Sequence, residues 1–218
     1  LHLHHNHRDW LDVGTFKNYW LKVINLSHNS LVKLISMAFL YLPEITSVDL
    51  SYNRLKYLYK FPFYKTCDSN QQIKIYLDHN DLDSDAVWKV LSSFRHLEGT
   101  ECTVDAYLEH NSITGLLEHI LDSYEQHLSV DDLEYFETWK HIAVHLDNNP
   151  IRCDCNLYKE VQIIKDLRVS VPQNWTLTHH FDFWRGYKCQ SPDRVKGSNI
   201  VQVLKKIECQ ISGECPKT

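Results

Sequence analysis

Glycine and proline are scarce, at six each in 218 residues, which excludes collagen-like and proline-rich linker sequence. A basic surplus is missing. The formal net charge is −5 with histidine neutral, so the usual electrostatic footprint of a nucleic-acid-binding face is lacking. No apolar run reaches the roughly 20 residues that a membrane-spanning helix needs. Paired Cys-x-x-Cys zinc ligands do not occur. Neither do His-Glu-x-x-His, Gly-x-Ser-x-Gly or a phosphate-cradling glycine loop. The expectation is a chain that is not an enzyme, with no catalytic residue, no metal and no cofactor. It opens on Leu1 rather than Met, and its first residues already read as the middle of a repeat. A fragment or processed piece is therefore expected.

What is present is ordinary globular composition, 43% apolar and 23% charged, enough for one sizeable core. Seven cysteines are many for a chain kept in a reducing compartment, and five of them fall between Cys153 and Cys215. That clustering predicts a disulfide-bonded subdomain in an oxidising compartment. Two glycosylation sequons fit this placement, Asn25-Leu26-Ser27 and Asn174-Trp175-Thr176.

One pattern recurs six times: an apolar residue, any residue, Leu, any two residues, then Asn. It ends at Asn6, Asn29, Asn53, Asn80, Asn111 and Asn149, with successive spacings of 23, 24, 27, 31 and 38. A Phe stands ten residues after each of the first three, at Phe16, Phe39 and Phe63. The apolar-x-Leu pair alternates at period two and predicts a short strand with both side chains inward. The Asn amide supplies donors and an acceptor for backbone groups that lack sheet partners at the turn. No coil buries its apolar face alone, and stacking buries them all. Six strands predict a parallel sheet about 24 Å wide.

The later coils carry extra residues. Val87, Val90, Leu91 and Phe94 recur at helical spacing after Ser84, as do Ile113, Leu116, Leu117, Ile120, Leu121 and Tyr124 after Asn111. Ser129 with Asp132 is patterned as a capping box for a further short helix. Cys67 and Cys102 precede neighbouring strands, and a bridge between them is expected if their Cα atoms come within about 7 Å.

The segment Asn149-Pro150-Ile151-Arg152-Cys153-Asp154-Cys155 begins a cover for the open end, continued by Cys189-Gln190-Ser191-Pro192, Gly197 and Cys209. Four cysteines alone leave three pairings. Repeat and cover together resemble an extracellular leucine-rich-repeat protein with its C-terminal cysteine cap. The resemblance implies an α/β solenoid with a parallel β-sheet on its concave face, and bridges Cys153–Cys189 and Cys155–Cys209. It divides the chain into repeats over 1–148, a cap over 149–211, and the start of a following N-terminal cap or linker over 212–218. Cys215-Pro216 looks like the opening of such a cap, with Cys215 unpaired here. Tandem capped blocks resemble insect Toll receptors. That resemblance implies an innate-immune or developmental signalling receptor, extracellular and anchored by one membrane pass elsewhere. It further implies a Spätzle-like cystine-knot cytokine as protein ligand, and a second receptor chain as partner. The alternative is a secreted leucine-rich-repeat immune or matrix protein without an anchor.

Stacking puts equivalent sheet positions into columns. One column runs His5, His28, Tyr52, His79, His110, Asn148; another runs His4, Ser27, Ser51, Asp78, Glu109, Asp147. A third runs His2, Asn25, Asp49, Tyr76, Tyr107, His145. All three are expected to point outward. The C-terminal part is acidic with stacked tyrosines. Tyr76, Asp78, His79, Tyr107, Glu109, His110, His145 and Asp147 are therefore the candidate contacts for a basic partner surface. A plain solvated sheet face is the competing reading. His79 and His110 beside carboxylates also suggest a pH-sensitive patch, and His2, His4, His5 and His28 a metal cluster that the reading does not adopt.

Overall fold

The computed structural model describes residues 1–7, 9–40, 42–63, 71–94, 102–115, 142–154, 156–157, 188–200 and 202–203. Five parallel strands form the main sheet in the order β1 (Val23–Asn25), β3 (Ser47–Asp49), β5 (Gln72–Tyr76), β6 (Thr103–Tyr107) and β7 (Ile142–His145). Between them, β2 (Lys33–Leu34) and β4 (Tyr57–Leu58) make a second, two-stranded parallel sheet. Register follows the repeat: Ile24 pairs with Val48, Val48 with Ile75, Ile75 with Ala106, and Ala106 with Val144. The expected sixth strand is reduced to a bridge between His2 and Asn25. The backbone there still pairs, with Leu3 N donating to Asn25 O at 2.7 Å and Asn25 N to Leu1 O at 2.9 Å.

The inward pairs make one row. Leu26, Leu50, Leu77 and Leu108 are each fully buried, in a single cluster with Ile24, Val48, Ile75 and Ala106. Behind them Phe16, Phe39 and Phe63 stack nearly parallel, at centroid distances of 5.9 and 5.6 Å. Adjacent parallel strands lie about 4.8 Å apart, so identical residues at identical positions fall face to face.

The asparagines join the coils. Asn80 Nδ2 donates to Leu77 O at 3.0 Å in its own coil and to Leu50 O at 3.1 Å in the one before. Its Oδ1 accepts from Leu55 N at 2.9 Å. Asn53 and Asn111 repeat all three bonds. Asn149 closes the series, its Oδ1 accepting from both Asn111 N and Ile113 N at 3.1 Å. Asn6 departs from the expected buried ladder. It is exposed and bonds only within its own coil, to Leu3 O and His4 O. The bond that links coils in the ladder goes to a Leu carbonyl of the coil before, and Asn6 makes no such bond among the described residues.

Helix α1 (Asp85–Leu91) occupies the segment patterned for it and buries Ala86, Val87, Val90 and Leu91, with Phe94 just beyond. Asp85, where the repeat calls for Leu, opens the helix, and its carboxylate lies 3.6 Å from Lys89 one turn on. Ser84 does not cap it. Its hydroxyl instead accepts from Thr114 N at 3.1 Å and Gly115 N at 2.9 Å, tying this coil to the next. The helical patterns expected after Leu116 and around Ser129 lie outside the described residues.

At the far end, Cys153 and Cys189 are joined by a disulfide with Cα atoms 5.5 Å apart. Cys153 N donates to Ser191 O, and Gln190 N to Ile151 O, both at 2.8 Å. Gly197 takes φ +79°, a left-handed turn that suits glycine, and its N–H donates to Cys189 O at 2.7 Å. Ile151, Leu157, Ile200 and Val203 are buried beneath this cover. Cys102 is disulfide-bonded and buried. Cys67, Cys155, Cys209, Cys215 and Asn174 lie outside the described residues.

Candidate protein-binding surface

Three residues per coil decide the concave face, and they do not all point outward as the alternation predicts. The residue before each ladder Asn lies past the strand end in a left-handed turn. His5, His28, Tyr52, His79, His110 and Asn148 all have φ between 52 and 60°. His and Asn enter that region more readily than most residues, a signal legible in the column's composition. A second such column, Gly14, Met37 and Phe61 at φ 58, 55 and 55°, turns the opposite flank; only its glycine carried a sequence signal.

The turn brings the rings together. His5, His28, Tyr52, His79 and His110 stack in one file, with centroids 4.7, 4.5, 4.2 and 4.2 Å apart. Asn148 ends the file, its Nδ2 lying 3.2 Å from His110 Nε2. A parallel file runs through Tyr76, Tyr107 and His145 at 4.8 and 4.6 Å.

Between the files the chemistry changes along the solenoid. In the second and third coils the middle residue is serine, and Ser27 and Ser51 are buried rather than outward-facing. Ser27 Oγ donates to Asn25 Oδ1 at 2.8 Å, and Ser51 Oγ to Asp49 Oδ1 at 2.7 Å, each reinforced by the serine N–H at 3.0 Å. The sequon asparagine Asn25 thus holds its own sequon serine. From the next coil the acceptor becomes Tyr76, then Tyr107, and the middle residues become Asp78, Glu109 and Asp147. A phenol in place of the carboxylate or amide removes this local pairing, and the surface opens.

The opening is a recess of about 350 Å³ lined by Tyr76, Asp78, His79, Tyr107, Glu109, His110, Asp147 and Asn148. Seven of the eight contacts chosen from sequence line it. His145 stands aside, stacked on Tyr107 with its Nε2 3.9 Å from Asp105 Oδ1, and Asn148 takes its place. Asp78 Oδ2 lies 2.9 Å from His79 Nδ1. Glu109 is half-buried, and its Oε2 has no hydrogen-bond partner among the described residues. Burial pushes the Glu109 carboxyl above the ordinary carboxylate range. Asp78 and Asp147 push the same way, while its own backbone amide and His145 oppose. The Tyr107 phenol is also raised, by burial first and then by Asp105, Tyr76 and Glu109.

A leucine-rich-repeat family model matches residues 1–55. With the parallel sheet and the asparagine-linked coils, this decides the architecture. The described coils fold as a leucine-rich-repeat solenoid. Among solved structures, human trophoblast glycoprotein (Wnt-activated inhibitory factor 1) aligns at 20% identity and TM-score 0.33, over 92% of this chain and 84% of its own. A chain of the mouse RP105/MD-1 complex aligns at 15% identity and TM-score 0.33, over 82% of this chain and 37% of its own. No curated protein matches by sequence. Leucine-rich-repeat solenoids are scaffolds for protein–protein contact, offering extended concave surfaces. Among the described residues no group of three or more His, Cys, Asp or Glu is placed to hold a metal ion. No described helix is long and apolar enough to cross a membrane.

Proposed function

We propose that this solenoid is an extracellular protein-binding segment whose C-terminal concave face docks a basic protein surface. One observation carries the reading. Two files of stacked rings flank a row of three carboxylates, Asp78, Glu109 and Asp147, at the capped end of the sheet. Aromatic rings give contact area at little entropic cost, and the carboxylates favour a cationic partner. The disulfide between Cys153 and Cys189 suits an oxidising compartment. A glycan on Asn25 limits access to the N-terminal half of the face and leaves the recess open.

The finer reading is a segment of a Toll-type receptor ectodomain that binds a Spätzle-like cystine-knot cytokine and supports receptor association. It rests on the cap spacing and on the Cys215-Pro216 junction. The test is capture of candidate cystine-knot cytokines by the intact parent ectodomain, against versions lacking this segment or carrying Tyr76→Ala with Tyr107→Ala. Loss of capture in both supports docking here. Undiminished capture by the double variant overturns it. A parent sequence that does not complete Cys-Pro-x-x-Cys after residue 218 removes the Toll reading and favours the secreted alternative.

A further inference from the structure

The recess is more specific than an acidic patch. The two walls are flat and nearly parallel within themselves: Tyr76 and Tyr107 are 7° apart in plane, His79 and His110 22°. The carboxylate row runs between them, one carboxylate per coil. In the two coils just before, the same row is closed by serines bonded to Asn25 and Asp49, so the trough begins where the tyrosines begin. One of its lining residues carries an unmatched acceptor: half-buried Glu109, whose Oε2 takes no hydrogen bond from the described residues. A buried acceptor without a donor is costly, and a donor from outside relieves it. Its volume of about 350 Å³ lies at the small end of ligand pockets, the scale of one side chain rather than a loop.

Resting on the docking reading above, we propose that the recess is a socket for a single arginine side chain of the protein partner, with Glu109 as the carboxylate it engages. A guanidinium is planar and stacks on aromatic faces. It also presents a fork of donors wide enough to reach two carboxylates, on Glu109 and on Asp78 or Asp147 of a neighbouring coil. Lysine offers a compact charge without that planar match, and a metal ion lacks a ligand cluster here among the described residues.

The test uses the 218-residue chain and argininamide, followed by NMR at matched ionic strength, with lysinamide and the neutral isostere citrullinamide as further arms. Saturable shifts at the Tyr107 and His110 rings are expected with argininamide. Citrullinamide is expected to bind at least about tenfold more weakly, as is argininamide to Glu109→Gln, the loss typical of a hydrogen bond to a charged group. Asp12→Asn, remote from the recess, leaves binding unchanged. Non-saturating shifts, equal binding of citrullinamide, tighter binding of lysinamide, or an unaffected Glu109→Gln overturns the socket. Two results separate this from the docking reading. If Tyr76→Ala with Tyr107→Ala abolishes partner capture while argininamide fails to saturate, docking stands and the socket falls. If argininamide saturates normally while the double variant still captures the partner, the docking reading falls.

Discussion

Replacing Asn80 with alanine tests the ladder that holds the coils in register. The change removes three donor contacts made by the two amide N–H groups, to Leu50 O, Leu77 O and Asp78 O, and the acceptor for Leu55 N. The three carbonyls are not stranded, since Asp78 O keeps Tyr52 N at 3.1 Å. Leu50 O keeps Asn53 Nδ2 and Leu77 O keeps Asn111 Nδ2, each at 3.0 Å. The Leu55 amide, in a fully buried residue, loses its acceptor. Two net hydrogen bonds at about 1 kcal/mol each and one orphaned buried N–H at about 1–3 kcal/mol give a loss of roughly 3–5 kcal/mol. Asn6→Ala removes two bonds on an exposed residue, where water substitutes, and is expected to cost less than about 1 kcal/mol. Urea unfolding of both variants by far-ultraviolet circular dichroism gives the comparison, with an unchanged m-value as the check on compactness. Equal losses in the two variants, or less than about 1 kcal/mol for Asn80→Ala, refutes the idea that buried amides bridging coils stabilise the solenoid.

Phe39→Ala removes the middle ring of the Phe16–Phe39–Phe63 stack, and a loss of about 3–5 kcal/mol is expected in the same assay. Cys153→Ser with Cys189→Ser opens a loop with a sequence separation of 36; the chain-entropy relation gives a cost of about 4 kcal/mol, read from unfolding without reductant. Glu109 has a folded-state pKa raised above 4.5, so the folded state holds its proton more tightly than the unfolded chain does. Its favourable contribution is fully present below pH 4.5 and is lost as pH rises through the folded value. Glu109→Gln is therefore expected to raise the melting temperature at pH 7, with the gain shrinking as pH falls through the folded value and gone below 4.5. A gain independent of pH sinks the burial argument.

The repeat was legible because its determinants are local and recur. Leu26, Leu50, Leu77 and Leu108 were marked by period-two alternation, and the ring stack of Phe16, Phe39 and Phe63 by a constant offset from the asparagines. The helix at Asp85–Leu91 was legible from Val87, Val90 and Leu91, which share one face. The turn chemistry of the concave face was harder to read. Simple alternation pointed Ser27 and Ser51 outward, but their hydroxyls fold back onto Asn25 and Asp49. Side-chain-to-backbone and side-chain-to-side-chain bonding two residues apart competes with the strand pattern. His145 was placed on the contact surface by its column; it stacks on Tyr107 and does not line the recess.

The sequence by itself determined which apolar residues of the repeat face inward and at what spacing the coils recur, since each depends on residues close together in the chain. Only the tertiary structure decided what the coils build between them. The recess, its unmatched Glu109 oxygen and the two ring files need side chains from coils 31 and 38 residues apart brought within one strand spacing. That proximity is a property of in-register parallel pairing, and no single coil contains it.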